Sequence, residues 1–231
     1  MAEWAALFDM DGVIADTNPF HRSSWRAFCA KHGLSLSEKD LERRVYGRTN
    51  TDTLRDLFGL ELSPERIHDL SEEKERLFRQ MATGKLSPLP GLAELIAELQ
   101  RSGTLLAVAT SAPPDNASMV LRETGLAQAF ATVVDASMVA RGKPAPDVYL
   151  AASARLDVPP RACVVFEDSL SGVAAGRSAG MAVVGLATTH PVSELAPLTD
   201  LCAQDFREIG WNSIKALLAD RRKNPNAPGP A

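Results

Sequence analysis

The chain has 231 residues, of which 45% are hydrophobic and 23% are charged, a balance typical of folded globular proteins. Its 25 Lys and Arg residues and 29 Asp and Glu residues give a net charge of −4, so there is no basic excess to attract nucleic acid. The basic residues also form no long run that would bind an anionic membrane surface, and we expect neither partner.

The cysteines and the apolar runs bear on the cellular compartment. Cys29, Cys163 and Cys202 are far apart and lack the paired spacing of a zinc site or a disulfide framework. We therefore expect free thiols in a reducing compartment. No apolar run approaches the ~20 residues that cross a bilayer, and the first residues lack the basic start of a signal peptide. The sequence predicts a cytoplasmic protein, and we expect a monomer by default.

Short apolar runs alternate with amphipathic segments along much of the chain. Five runs are typical of strands buried on both faces of a parallel sheet, and they cover residues 5–8, 105–109, 132–134, 162–166 and 181–186. The segments between them predict helices at residues 92–100, 147–154 and 172–179. This alternation predicts an α/β fold with a doubly wound parallel sheet.

The segment between the first two predicted strands has a different character. It lacks a strand-like run and carries Leu at helical spacing among charged residues, which predicts four helices at residues 20–31, 38–45, 52–58 and 64–81. We interpret residues 16–85 as a helical cap domain inserted into a core of residues 1–15 and 86–220. The chain ends in Pro, Asn, Gly and Ala, and we expect a disordered tail over residues 221–231.

The strongest chemical signal is Asp9-Met10-Asp11-Gly12, where the first predicted strand ends. In extended backbone, carboxylates two positions apart point the same way, so Asp9 and Asp11 could share one site. The alternative is an acidic turn, since Asp and Gly both favour turns. Ligands of open α/β sheets bind outside the carboxyl ends of the strands, and this favours the shared site.

Further polar residues follow other predicted strands. Thr110 and Ser111 follow one strand, Glu167 and Asp168 follow another, and Lys143 lies in a loop between two elements. Carboxylates at neighbouring strand ends repel one another unless a cation is present, and hard oxygen ligands suit Mg²⁺. A Mg²⁺ ion with a lysine beside a carboxylate suits phosphate chemistry.

Four motifs, in chain order, resemble those of the haloacid dehalogenase-like superfamily, in its branch of β-phosphoglucomutase-like phosphatases with a helical cap. The motifs are Asp9-Met10-Asp11-Gly12-Val13, Thr110, Lys143 in Gly-Lys-Pro-Ala-Pro-Asp, and Phe166-Glu167-Asp168-Ser169. The resemblance covers roughly residues 4–220. It implies a Rossmann-like core with a parallel sheet and an inserted four-helix cap domain.

The resemblance also implies a role for each catalytic residue. Asp9 is the implied nucleophile, which forms an aspartyl-phosphate, and Asp11 is the implied general acid and base. Thr110 is expected to bind a phosphoryl oxygen through its hydroxyl group, helped by the backbone N–H of Ser111. Lys143 is expected to pair with the phosphoryl group and with Asp9.

Mg²⁺ is the cofactor that the resemblance implies. Its expected ligands are the carboxylates of Asp9 and Asp168 and the backbone carbonyl of Asp11, with Glu167 either behind these ligands or in contact with the ion through water. An alternative role for Glu167 is that of a structural hydrogen-bond partner. Ser169 is expected to cap the following helix rather than to bind a ligand.

The second aspartate helps to choose the reaction. Dehalogenase members of the superfamily characteristically lack it because a halide leaves without a proton, so Asp11 favours phosphoryl transfer. The first motif argues against the phosphonatase members, and the complete set of motifs argues against a non-catalytic binding module. The choice that remains is between a phosphatase and a sugar phosphomutase.

Residues of the cap bear on that choice. His21 and Lys74 resemble mutase residues that help to govern acid–base chemistry and cap closure, although His21 could be a half-buried helix residue and Lys74 could lie on a solvated charged face. Mutases place an arginine in a cap loop to hold a distal phosphate. Here Asn50 takes that position and Arg48 lies two residues earlier, and a neutral amide cannot replace a bidentate guanidinium.

The loop after Thr110 also departs from the mutases, since it contains Pro113 and Pro114. We therefore expect a phosphatase that acts on a small phosphorylated metabolite, with a sugar phosphate as the substrate class. The candidate substrate-binding residues are Ser111, Asn116, His21, Arg48, Asn50 and Lys74.

Overall fold

The computed structural model describes residues 3–46 and 48–223. The described residues divide into two compact units, a core that includes the chain up to Asp16 and again from Leu86, and a cap formed by Thr17–Lys85. The first boundary thus falls one residue later than the sequence prediction placed it. Residues 224–231 of the predicted tail and Gly47 of the cap lie outside the described residues.

The core is built on a parallel sheet whose strand order is β3-β2-β1-β4-β5-β6. The strands are β1 Ala5–Phe8, β2 Leu105–Ala109, β3 Thr132–Val134, β4 Cys163–Glu167, β5 Ala182–Leu186 and β6 Leu201–Ala203. This confirms the predicted Rossmann-like α/β core. The strand order reverses between β1 and β4, and such a reversal opens a crevice at the carboxyl ends of those two strands.

The helices lie in both units. The cap contains α1 Asn18–Lys31, α2 Glu38–Arg44, α3 Asn50–Phe58 and α4 Pro64–Ala82. The core contains α5 Leu92–Arg101, α6 Pro114–Glu123, α7 Asp147–Leu156, α8 Leu170–Ser178, α9 Val192–Leu195 and α10 Trp211–Lys223. None of the described helices is both long and apolar enough to cross a membrane.

The strands on either side of the reversal are buried on both faces. Every residue of β1 and of β4 is buried, which explains why these strands are continuous apolar runs rather than alternating ones. Their register places Phe8 opposite Phe166, and the two rings stack with 4.6 Å between centroids. Phe130 and Phe206 extend this cluster, 5.7 Å from Phe8 and 5.5 Å from Phe166 respectively.

The sequence prediction of the core missed four elements: α6, β6, the four-residue helix α9 and α10. The prolines before Asn116 suggested a loop, but Pro114 occupies the first turn of α6, where a missing N–H costs no intrahelical hydrogen bond. The edge strand β6 has only three residues. Helix α10 runs to Lys223, so residues 221–223 are helical and the predicted start of the tail at residue 221 is wrong.

The cap has an apolar core of its own. Trp25 and Phe28 of α1 are buried together with residues of the other three helices, among them Leu41, Leu54 and Leu70. The side chains of Ser37, Thr49 and Ser63 cap α2, α3 and α4 by accepting backbone N–H groups of the first turn. These caps explain why each of the helices begins where it does.

The stacked phenylalanines give a test of the core. Phe166→Ala should lower the free energy of unfolding by about 3–5 kcal/mol, because it removes a fully buried ring from a close-packed cluster. Leu60→Ala is the control, since that side chain is 79% exposed and should change stability by less than about 0.5 kcal/mol. Chemical denaturation of both variants would measure the difference, and equal stabilities would contradict this account of the core.

Candidate active site

The carboxyl edge of the sheet gathers the residues that the motifs singled out. Asp9 follows β1, Thr110 follows β2, and Glu167 ends β4 with Asp168 directly after it. Lys143 enters from the loop between β3 and α7. Because β1 lies between β2 and β4, the strand ends bring residues that are distant in sequence to one place.

Lys143 lies between two carboxylates. Its Nζ is 2.7 Å from Asp9 Oδ1 and 2.6 Å from Glu167 Oε1, and its side chain is buried. Burial alone would lower the pKa of the ammonium group, but the charges of the two carboxylates outweigh this and raise the pKa. Lys143 is therefore a fixed cation beside Asp9.

Glu167 is fully buried and accepts hydrogen bonds on both oxygens. Oε1 accepts from Lys143 and from the hydroxyl group of Tyr149, and Oε2 accepts from the backbone N–H of Asp168 and from the N–H and hydroxyl group of Ser169. Burial would raise the pKa of Glu167, but the Lys143 charge and these hydrogen bonds hold it below its ordinary value. This geometry supports the interpretation of Glu167 as a structural hydrogen-bond partner.

Buried carboxylates form a cluster in which a metal ion would fit. Oxygens of Asp9, Glu167 and Asp168 lie within 4.8 Å of one another, and all three residues are buried. Burial raises the pKa of Asp9 to about 7. The charge of Lys143 opposes this shift, and the charges of Glu167 and Asp11 add to it. Burial and the two neighbouring carboxylates raise the pKa of Asp168 well above its ordinary value. An all-oxygen donor set with excess negative charge suits Mg²⁺.

The turn after Asp9 approaches Asp168 closely. Gly12 has a φ of +74°, and a Cβ atom there would lie 2.0 Å from Asp168 Oδ2, so both the backbone conformation and the space require glycine. The Thr188 hydroxyl group donates to the Gly12 carbonyl at 2.6 Å, and the Thr189 hydroxyl group donates to Asp168 Oδ2. Sequence reasoning missed both threonines, although they follow β5 at the same edge of the sheet.

The two polar residues that follow β2 differ in burial. Thr110 is buried, and its hydroxyl oxygen accepts the N–H of Ala112 at 3.0 Å, which leaves its proton to donate elsewhere. Ser111 is exposed. Asn116 is fully buried on α6. Asp11 is partly exposed in a turn that the Gly12 N–H closes with the Ala15 carbonyl at 2.8 Å.

Polar residues of the cap form a connected cluster. The Lys74 ammonium group lies 2.8 Å from His21 Nδ1 and 2.9 Å from Glu75 Oε1, and Asn50 Nδ2 donates to the same glutamate oxygen at 2.8 Å. The His21 ring stacks on Phe78 with 3.9 Å between centroids. Lys74 is 2% exposed, so a solvated charged face is the wrong description of it. Sequence reasoning missed Glu75, which joins Lys74 to Asn50.

Arg48 is held within the cap. Its Nη1 donates to the Arg44 carbonyl at 3.1 Å and lies 3.7 Å from Asp56 Oδ2. The side chain therefore extends along the surface formed by α2 and α3. A role in holding a distal phosphate would require Arg48 to leave these partners.

The chain is similar to several known proteins. The haloacid dehalogenase-like hydrolase family matches residues 5–180. The chain is 33% identical to β-phosphoglucomutase of Bacillus subtilis over 81% of this chain and 85% of that protein. It is 38% identical to the phosphorylated carbohydrates phosphatase of Thermotoga maritima over 77% of this chain and 82% of that protein. A family IA hydrolase of Entamoeba histolytica superimposes with a TM-score of 0.87 at 30% identity, covering 94% of this chain and 99% of that one.

The space around Glu167 gives a test of the cluster. A Cβ atom at Gly172 would lie 1.6 Å from Glu167 Oε1, so Gly172→Ala should displace the carboxylate and lower stability by about 1–3 kcal/mol. Gly142→Ala is the matched control, because a Cβ atom there meets no atom within 4 Å. Thermal unfolding would compare the two variants. Equal midpoints would show that the carboxylate can move at no cost.

Proposed function

The chain belongs to the haloacid dehalogenase-like hydrolases, and we propose that it is a Mg²⁺-dependent phosphatase that hydrolyses a small sugar phosphate through an aspartyl-phosphate. The observation that carries this proposal is the contact of 2.7 Å between Lys143 Nζ and Asp9 Oδ1, beside the buried carboxylate of Asp168. A fixed ammonium group at a carboxylate is suited to a reaction in which that carboxylate meets an anion.

Asp9 is the proposed nucleophile. Lys143 holds its Oδ1, so Oδ2 would attack phosphorus while the bond to the leaving oxygen breaks. Asp11 would donate a proton to that oxygen and would then accept a proton from the water that attacks the aspartyl-phosphate. This second step regenerates the Asp9 carboxylate and releases inorganic phosphate.

Lys143 and the loop after β2 would stabilise the phosphoryl group. The Lys143 ammonium would oppose the charge of the phosphoryl oxygens, and the Thr110 hydroxyl and the Ser111 N–H would donate hydrogen bonds to them. Asp9, Asp168 and the Asp11 carbonyl are the residues that would hold Mg²⁺. When bound, this ion would neutralise part of the negative charge shared by the carboxylates and the substrate.

The cap favours a phosphatase over a mutase. The Asn50 amide is hydrogen-bonded to the buried Glu75, and Arg48 is engaged with Arg44 and Asp56, so neither supplies the bidentate cation that a second phosphate group requires. The contact between His21 and Lys74 is the observation that favours the mutase alternative, together with the similarity to the Bacillus enzyme. We propose that His21, Asn50, Lys74 and Asn116 contribute to substrate binding.

We propose that the enzyme is a cytoplasmic monomer whose partner is a small-molecule substrate rather than nucleic acid or a membrane. Its cysteines are free thiols, which supports a reducing compartment. Its net charge of −4 means that it has no basic excess to attract nucleic acid.

Release of inorganic phosphate from a panel of sugar phosphates tests the reaction. The wild type with Mg²⁺ should release phosphate, and Asp9→Asn should lower kcat by at least about a thousandfold because the nucleophile is lost. Asp115→Asn is a control that removes an exposed carboxylate from α6 and should leave kcat unchanged within about twofold.

The same assay separates the mutase alternative. Glucose 1-phosphate, with and without a bisphosphate activator, would be followed for isomer formation and for free phosphate. Isomer without free phosphate would make the chain a mutase and would contradict the interpretation of Asn50. Undiminished phosphate release by Asp9→Asn would rule out the proposed nucleophile.

Binding of the metal ion can be measured without substrate. Mg²⁺ at a hundred times its Kd should stabilise the wild type by about 2.7 kcal/mol, and Asp168→Asn should lose this effect. Asp147→Asn removes a carboxylate that pairs with Arg141 outside the cluster and should respond to Mg²⁺ like the wild type. An equal response of Asp168→Asn would exclude Asp168 as a ligand.

In the absence of metal, the difference in stability between the wild type and Asp168→Asn should depend on pH. The raised pKa of Asp168 means that the folded chain keeps a proton that the unfolded chain loses. The stability of the wild type relative to Asp168→Asn should therefore fall as the pH rises above about 4, the ordinary pKa of the side chain. Denaturation in EDTA across pH 4–8 checks the sign, and a difference that grows in favour of the wild type would contradict it.

A further inference from the structure

Tyr149 is a completely buried tyrosine in the first turn of α7. A buried hydroxyl group needs a hydrogen-bond partner, and that of Tyr149 donates to Glu167 Oε1 at 2.7 Å. The ring of Tyr149 also faces the Lys143 ammonium group, with Nζ 4.9 Å from the ring centroid. One side chain therefore contacts both the cation of the site and the carboxylate that holds it.

The acceptor atom is shared. Glu167 Oε1 accepts from Tyr149 at 2.7 Å and from Lys143 at 2.6 Å, while the same Lys143 atom lies 2.7 Å from Asp9 Oδ1. The other oxygen of Glu167 is fixed by the N–H groups of Asp168 and Ser169, so the carboxylate cannot turn freely. The position of the ammonium group thus depends on how strongly each of two carboxylates attracts it.

We infer that Tyr149 is a positioning residue for phosphoryl transfer, which sets the place of the Lys143 ammonium group between Glu167 and Asp9. By donating to Oε1, Tyr149 satisfies part of the negative charge of Glu167 and weakens its attraction for Lys143. Without the hydroxyl group, Lys143 is drawn toward Glu167 and away from Asp9 and the phosphoryl group. This inference rests on the proposed function for its kinetic consequence, but the position of Lys143 can be measured independently.

Tyr149→Phe removes the hydroxyl group and keeps the ring. We expect kcat for phosphate release from the best substrate of the panel to fall about tenfold, with KM changed by less than about twofold, because the displaced cation stabilises charge in the transition state. The chain has two tyrosines, and the other, Tyr46, packs against the apolar core of the cap, so Tyr46→Phe is the matched control and should leave both constants unchanged. A kcat for Tyr149→Phe within about twofold of the wild type would overturn the inference.

A double-mutant cycle distinguishes positioning from packing. In Glu167→Gln the charged acceptor is gone, so adding Tyr149→Phe should lower kcat by no more than about twofold. A tyrosine that only fills space would lower kcat by the same factor in both backgrounds, and that result would contradict the inference.

The ¹⁵N resonance of Lys143 Nζ gives a readout that needs neither turnover nor a folded Glu167→Gln variant. It can be identified in lysine-labelled protein by its absence from Lys143→Met. At fixed pH, Tyr149→Phe should shift this resonance and Tyr46→Phe should not. A shift in a protein that releases no phosphate would support the positioning role and refute the proposed function. An unchanged resonance would refute the positioning role whatever the activity.

Discussion

The burial of one ammonium group among carboxylates is the interaction on which the site depends. A buried charge is costly unless it is paired and hydrogen-bonded, and Lys143 meets this condition by contacting Asp9 and Glu167 together. With all groups ionised, Lys143 and the three carboxylates of the cluster retain two negative charges. A divalent cation would balance them, which is why the cluster fits a metal ion better than a second lysine.

The surrounding residues are those that this cluster of charges requires. Gly12 and Gly172 leave room for the carboxylates of Asp168 and Glu167, where any Cβ atom would lie at 2.0 Å or less. Thr189 and Tyr149 donate hydrogen bonds to the same two carboxylates. The glycines allow close packing around the buried carboxylates, and the hydroxyl groups supply their hydrogen bonds. Both are needed, because a buried charge is destabilised by an empty space beside it and by an unpaired oxygen.

The sequence predicts the parts of this structure that depend on local pattern. The runs at β1 and β4 are buried on both faces and are therefore readable as apolar segments, and the polar residues after them lie at the expected edge. Helix α6 was missed because prolines break a helix in its interior but not in its first turn. The contact between Tyr149 and Glu167 could not be predicted, because it joins residues 18 positions apart through the packing of α7 on the sheet.

Each of the two units contains a buried lysine, and the two lysines have different partners. In the cap, Lys74 lies between Glu75 and the imidazole of His21, and the carboxylate of Glu75 opposes its charge. Its sequence neighbours are charged and suggest a solvated face, but α4 turns Lys74 toward the rings of Trp25 and Phe78, at 5.3 and 5.7 Å. The core cluster keeps an excess of negative charge when its groups are ionised, so a metal ion, and with it the proposed phosphoryl chemistry, fits the carboxyl edge of the sheet rather than the cap cluster.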